Sequence, residues 1–425
     1  MDFAADPDHE AIREGVRRTC SDFDDGYWRR CDDDHEFPWD FYRAMADGGW
    51  IGIAIPEAYG GGGRGITEAS IVVEEVAASG AAMNGASAIH LSIFGMGPVI
   101  KHGSDELKAR VLPAVASGEL HVCFGVTEPD AGTDTSRITT RAVLADDGSH
   151  YLVRGRKVWT TKAPHCQKVL LLVRTTPRDE AAKPTDGMTL LLADLQIPQT
   201  EVGVRNEAEG RFAHQLRHGS GPGSVPVPGR VRPEVEITPI PKAGRNAVVS
   251  CEVVYDDLPV PVADRVGDEG DGFRYLLDGL NPERILIAAE ALGTGRAALR
   301  RAVAYANERV VFDRPIGQNQ GIAFPLAQAH MELRAAELAI REAAWRYDSG
   351  LPCGEAANTA KYLAAEAGYR AADQAVQTLG GMGYAGEYHV ERYWREARLM
   401  RLAPVSQELI QAYIATNVLG LPRSY

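Results

Sequence analysis

The chain has 425 residues, of which 45% are hydrophobic and 24% charged, enough apolar material for a large core spread over two or three domains. Its formal net charge is -13, with 58 acidic against 45 basic residues and no Lys/Arg cluster, which makes nucleic acid and anionic membranes poor partners. Six scattered cysteines without CxxC or zinc spacing, no leader-like N-terminus and no membrane-length apolar run point to reduced thiols and a cytoplasmic location.

Residues 1–121 read mainly as helices. Ile71–Ala78 and Leu107–Ala116 carry apolar residues at helical spacing, separated by Gly-rich breaks. Ile55-Pro56-Glu57-Ala58-Tyr59-Gly60-Gly61, followed by Gly62 and Gly63, is a turn-forming stretch. Over 122–262 the texture changes to short apolar runs between turn residues. Tyr151–Val153, Val169–Val173, Met188–Leu192 and Cys251–Tyr255 predict strands of a β-domain. Between Ile197 and Pro233 the pattern lapses into Gly, Pro, Arg and Glu, and a mobile surface insertion is expected there.

From Gly272 onward, within an expected domain of residues 263–425, the helical period returns. Long helices are expected over Arg284–Val310, Phe324–Ser349, Glu355–Leu379 and Val405–Val418, with Ala-rich stretches suited to tight packing. The predicted fold class is therefore α+β and multidomain, with an N-terminal helical domain, a middle β-barrel-like domain and a C-terminal helical bundle. No GxGxxG follows a strand, so no Rossmann site is expected.

The segment Phe124-Gly125-Val126-Thr127-Glu128-Pro129-Asp130-Ala131-Gly132-Thr133-Asp134 gathers hydroxyls, small residues and backbone donors beside a strand. Such a loop can hydrogen-bond the edge of a planar heterocycle or a phosphate, although a plain polar turn carries the same residues. The segment closely resembles the first signature of the acyl-CoA dehydrogenase family, which packs against the pyrimidine side of the flavin. Phe124, Val126, Thr127, Gly132 and Thr133 carry that match. The second signature is resembled by Gln377-Thr378-Leu379-Gly380-Gly381-Met382-Gly383-Tyr384, continuing through Glu387, Glu391 and Arg392 to Arg395-Glu396-Ala397-Arg398. The resemblance runs from about Pro38 to Tyr425, interrupted by the insertion.

The resemblance implies FAD as cofactor and an acyl thioester, carried by CoA or an acyl carrier, as substrate. Trp159-Thr160-Thr161 is similar to the strand whose Trp lies on the isoalloxazine and whose following Thr approaches flavin N5; as a lone aromatic, Trp159 would more often be core. Arg309-Val310-Val311-Phe312 resembles the motif whose Arg reaches the FAD pyrophosphate of a neighbouring subunit, and Gln320 resembles its partner. Gln377, Gly380 and Gly381 would face the adenosine part from the neighbour, so the resemblance also implies a homotetramer. An electron-transfer flavoprotein is the implied electron acceptor.

Removal of the weakly acidic α-proton needs a carboxylate. Many members of the family place it in a Tyr-Glu-Gly-Thr-like stretch after the second signature, and an ungapped match puts Pro404 there. The long-chain and isovaleryl branches instead use a Glu in a Leu-x-x-Glu-Arg stretch, and this chain has Leu280-Asn281-Pro282-Glu283-Arg284. Glu283 is thus the expected base, at the start of the first C-terminal helix, where a Glu after Pro is also a common dipole-favoured residue. Pro404 lacks the N–H that helps polarise the thioester in relatives, so Val405 or Ala403 would have to supply it. Glu408, about a turn further on, is a weaker base candidate. Thr133 and Arg284 are the expected substrate contacts, Arg284 being readable also as a structural ion-pair partner. A flavin oxidase or monooxygenase on the same fold, and a non-catalytic flavin-binding subunit motivated by Pro404, are the alternative readings.

Overall fold

The computed structural model describes residues 6–197 and 229–423. The body of the expected insertion lies outside the described residues. Its flanks do not: Gln196–Ile197 pairs antiparallel with Arg230–Val231, within the stretch read from sequence as loop.

Seven helices open the chain: α1 (Pro7–Cys20), α2 (Asp25–Asp33), α3 (Trp39–Asp47), α4 (Ile66–Val76), α5 (Ala82–Phe94), α6 (Gly97–His102) and α7 (Asp105–Ala116). α1 starts where Asp6 accepts from the Asp8 N–H and Pro7 fits the first turn. α4 is capped from afar. Both carboxylate oxygens of Asp348 accept from its first turn, from the Ile66 and Thr67 N–H groups at 2.8 Å each.

The strands follow: β1 (Val122–Gly125), β2 (Arg141–Leu144), β3 (His150–Thr161), β4 (Lys168–Arg174), β5 (Met188–Asp194), β6 (Gln196–Ile197), β7 (Arg230–Val231), β8 (Val235–Pro239), β9 (Ser250–Pro261) and β10 (Arg265–Val266). The main sheet runs β10-β5-β4-β2-β3-β9-β8, with β1 added parallel to β4. β4 and β5 are buried on both faces. Leu170, Leu172, Leu190 and Leu192 join α6, α7 and the start of the next helix, while Leu171, Val173, Leu191 and Ala193 meet Val253 and Tyr255. Double burial explains why these strands read as continuous apolar runs instead of alternating ones.

Five helices complete the described chain: α8 (Gly272–Glu308), α9 (Gln320–Asp348), α10 (Gly354–Leu379), α11 (Val390–Leu399) and a short α12 (Gln407–Tyr413). A two-stranded ribbon, β11 (Val310–Val311) with β12 (Arg314–Pro315), joins α8 to α9. α8 and α10 approach closely, since a Cβ on Gly368 would fall 2.4 Å from the Ala291 carbonyl oxygen. The N-terminal and C-terminal helices share one hydrophobic core. Among the described residues, no helix is long and apolar enough to cross a membrane.

One sequence expectation is corrected here. α8 begins at Gly272, not at Arg284, and carries Pro282 inside it. Proline is tolerated there because only its own N–H and the clash with the preceding turn are at issue, and buried neighbours on α8 hold the turn. Glu283 therefore sits about three turns into the helix, too far in for its N-terminal dipole to act on the carboxylate.

Candidate active site

The signature loop after β1 is tied to β3 rather than merely adjacent to it. The Val158 N–H donates to the Thr127 carbonyl at 2.9 Å, and the fully buried Lys157 Nζ donates to the Val126 carbonyl at 3.0 Å and Glu128 Oε1 at 2.9 Å. Glu128 also accepts from the N–H groups of Thr139 and Thr140 and from the Thr139 hydroxyl. Burial pushes the Glu128 carboxyl up, but the Lys157 charge and these donors outweigh it and hold it down at about 2. Lys157 moves down too, to about 8, because burial of a fully enclosed ammonium exceeds the attraction of one carboxylate. We take the pair as ionised, since four donors converge on the anion.

The anchored strand then bulges. The β3–β9 register shifts between Lys157 and Thr160, and Trp159 takes a left-handed φ of 61°. A bulge re-aims a side chain, and here it leaves the indole 56% exposed beside the loop. Gly132 and Thr133 are exposed on the same loop, whereas Thr160 is fully buried. Thr161 Oγ1 accepts from Arg245 Nη2 at 3.4 Å, and Arg245 also reaches Ser87 and Ser250. An aromatic face standing free next to a rigid polar loop suits a planar heterocycle, and the residues present fit a flavin.

Glu283 is half-buried on α8. Burial is the main reason its carboxyl rises to about 7, opposed by the charges of His90 and Arg284, reinforced by Glu290 and opposed again by Lys361. A carboxyl poised near neutrality is matched to proton abstraction. Arg284 donates to Asn281 Oδ1 at 2.9 Å and has no carboxylate within ion-pair distance among the described residues, so the ion-pair reading finds no partner. Lys361 Nζ donates to the Val405 carbonyl at 2.7 Å, which ties the Pro404 loop to the surroundings of Glu283. The Ala403 N–H is already spent on the Leu399 carbonyl at 3.0 Å, while the Val405 N–H has no partner among the described residues. Glu408 is exposed in the first turn of α12, where hydrogen bonds within that turn hold it below the usual carboxylate range.

The remaining predicted residues lie elsewhere. Arg309, Phe312, Gln320, Gln377, Gly380 and Gly381 are all exposed, Phe312 by 93%. On a continuous α8, Arg309 stands about 39 Å along the axis from Glu283. Phe312 and Asp313 form the two-residue turn of the β11–β12 ribbon, both with left-handed φ, which accounts locally for the Gly usual at 313. Gly380 has a φ of 60° with open space where a side chain would go. The tail of the second signature is structural: Arg392 donates to the Gly80 and Ala81 carbonyls, and Glu396 accepts from the Met83 N–H at 2.6 Å.

Sequence reasoning missed His90, Glu290, Lys361 and Arg245 as neighbours of the site. None lies in a recognised motif, and spacing alone could have suggested only Glu290, seven residues after Glu283 on the same face of α8. A cavity of ≈ 500 Å³ lined by Trp50, Ile53 and Gly60–Gly62 contains none of the predicted site residues.

Comparison with known proteins agrees along the whole chain. Models of the acyl-CoA dehydrogenase N-terminal, middle and C-terminal domains match residues 6–119, 123–220 and 270–419. The acyl-CoA dehydrogenase FadE12 of Mycobacterium tuberculosis is 38% identical over 428 residues, covering 100% of this chain and 99% of that protein. A glutaryl-coenzyme A dehydrogenase in complex with glutaryl-CoA superposes with a TM-score of 0.86 at 28% identity, over 100% of this chain and 98% of the other. Butyryl-CoA dehydrogenase from Megasphaera elsdenii gives 0.85 at 25%, over 99% and 100%. With all three family domains matched and a full-length relative 38% identical, this chain belongs to the acyl-CoA dehydrogenase family of FAD-dependent oxidoreductases.

Proposed function

We propose that the enzyme converts an acyl-CoA, or an acyl thioester on a carrier protein, to the trans-2-enoyl thioester, with Glu283 removing the α-proton. FAD supplies the hydride-accepting chemistry. The single observation that carries the reading is Glu283: a carboxyl brought to about 7 by burial, with Arg284, Lys361 and the Pro404 loop around it. At neutral pH it is balanced between accepting and holding a proton.

The other roles follow from placement. Trp159, with Phe124, Val126, Thr127, Gly132, Thr160 and Thr161, would hold the flavin ring, the Glu128–Lys157 pair keeping that surface rigid. Val405 takes the place of the missing donor at Pro404, because its N–H is unspent and that of Ala403 is not. Thr133 and Arg284 would contact the thioester. Arg309, Phe312, Gln320, Gln377, Gly380 and Gly381 would complete the cofactor site of another subunit, since α8 carries Arg309 away from the same chain's Glu283; a homotetramer provides this. The exposed Trp159 indole and the exposed Gly132–Thr133 loop leave the proposed flavin site open to an electron-transfer flavoprotein as acceptor, in a cytoplasmic setting.

The test is anaerobic addition of a panel of acyl-CoAs to the yellow enzyme. Loss of flavin absorbance with at least one of them is expected. Peroxide formed in proportion to substrate in air, without any anaerobic bleaching, would make the enzyme an oxidase instead.

A further inference from the structure

Lys361 on α10 has no exposed surface, and no carboxylate stands within ion-pair distance of it among the described residues. Burial pushes its ammonium down to about 8, because an unpaired cation held away from water is costly. Its one hydrogen bond among the described residues, 2.7 Å long, goes to the Val405 carbonyl. A charged donor on a single backbone oxygen holds that peptide more firmly than a neutral donor would.

The loop that carries Val405 is fastened at its foot as well. Arg401 Nε lies 2.7 Å from Glu366 Oε1 on α10, and its guanidinium covers the Tyr369 ring at 5.2 Å. Gln407 Nε2 donates to the same Glu366 oxygen at 2.5 Å, and the Gln407 N–H donates to the Arg401 carbonyl at 3.3 Å. Residues 401 and 407 thus close on one carboxylate and leave 402–406 as a short arch. Within it, the Leu402 and Ala403 N–H groups both donate to the Leu399 carbonyl, at 2.8 and 3.0 Å, and Pro404 has none to give. Ser406 turns its hydroxyl to the Leu409 N–H and caps α12. The proline ring restricts the backbone on one side of Val405, and Lys361 holds the carbonyl on the other.

We propose that Lys361 is a positioning residue: by holding the Val405 carbonyl it aims the Val405 N–H at the thioester oxygen, in place of the donor that Pro404 lacks. This rests on the reading of Val405 as the oxyanion donor. Orientation matters because a donor stabilises the charge developing on the thioester oxygen only if it is already in place when the α-proton leaves. Arg401, Gln407 and Glu366 secure the ends of the arch, and Lys361 sets its middle.

The experiment compares FAD-loaded wild type, Lys361→Met and Lys361→Gln. One reading is the infrared carbonyl band of a carbonyl-labelled trans-2-enoyl-CoA bound to the oxidised enzyme, its chain matched to the acyl-CoA that bleaches the wild type fastest. The other is the rate of anaerobic flavin bleaching by that acyl-CoA at saturation. In Lys361→Met the band should move towards its position in free solution, because a donor that wanders polarises the carbonyl less. Bleaching should slow by about tenfold or more, with little change in the concentration for half-saturation. The glutamine side chain is one bond too short to reach the Val405 carbonyl, so Lys361→Gln should move the band the same way; it decides the matter if Lys361→Met does not fold. A band and a rate that superimpose on wild type would overturn the proposal. So would a slower rate with an unmoved band, which is what a merely structural lysine gives. If Val405→Pro itself leaves the band in place, the oxyanion reading fails instead, which separates the two failures.

Discussion

At position 404 an ungapped match to the family pattern sets a proline where many relatives would carry their proton acceptor, and proline has no N–H to donate. Under the proposed assignment the chain compensates at two separate residues, Glu283 for the proton and Val405 for the N–H. Glu283 is proposed because Leu280-Asn281-Pro282-Glu283-Arg284 matches the spacing of the alternative base site. Its surroundings were not legible in the sequence: the charges of His90 on α5 and Lys361 on α10 act on it from other helices, and no local pattern records such a juxtaposition. The donor could not be chosen from sequence either, since both neighbours of Pro404 have an N–H and only the fold shows that Ala403's is used. Val405→Pro removes the remaining donor while leaving the carbonyl that Lys361 binds. Flavin bleaching in a single turnover should slow by about a hundredfold or more with FAD retained. An unchanged rate would place the oxyanion donor elsewhere.

The elements show where periodicity is a good guide and where punctuation misleads. α9 and α10 fall within a few residues of their predicted ends because their apolar faces are long and regular. α8 does not, because Pro282 reads as a helix start and is an interior residue held by packing. The bulge at Trp159 was equally invisible: alternation predicts which face a residue takes, not that one extra residue turns an indole outward. What holds that bulge to the signature loop is Glu128 with Lys157. Glu128 is depressed to about 2 in the folded state, so its stabilisation is complete above the ordinary carboxylate range and is lost as pH falls towards 2. Glu128→Gln should therefore lower stability by roughly 3 kcal/mol at neutral pH and weaken FAD retention. Denaturant titrations of the two proteins should draw together as pH falls below the ordinary carboxylate range and meet only near pH 2; a difference independent of pH would mean that the charge is not what holds the loop.

For the whole molecule, the division of labour follows from the length of α8. One end carries Glu283; the other, about 39 Å away, carries Arg309 and the exposed Phe312 turn. Residues 93% exposed (Phe312) and 81% exposed (Tyr384) near the two outer motifs make sense as surfaces that another subunit covers. Arg309→Ala should release FAD more readily while leaving the melting of the apoprotein unchanged, because Arg309 is exposed and makes no ion pair among the described residues. Equal FAD affinity in wild type and variant would detach Arg309 from the cofactor. The central claim, that Glu283 is the base, is tested most directly by mixing an acyl-CoA that bleaches the wild type with FAD-loaded Glu283→Gln in the absence of oxygen. Substrate should still bind, and bleaching should slow by about 10²- to 10⁴-fold; bleaching at the wild-type rate would contradict the account.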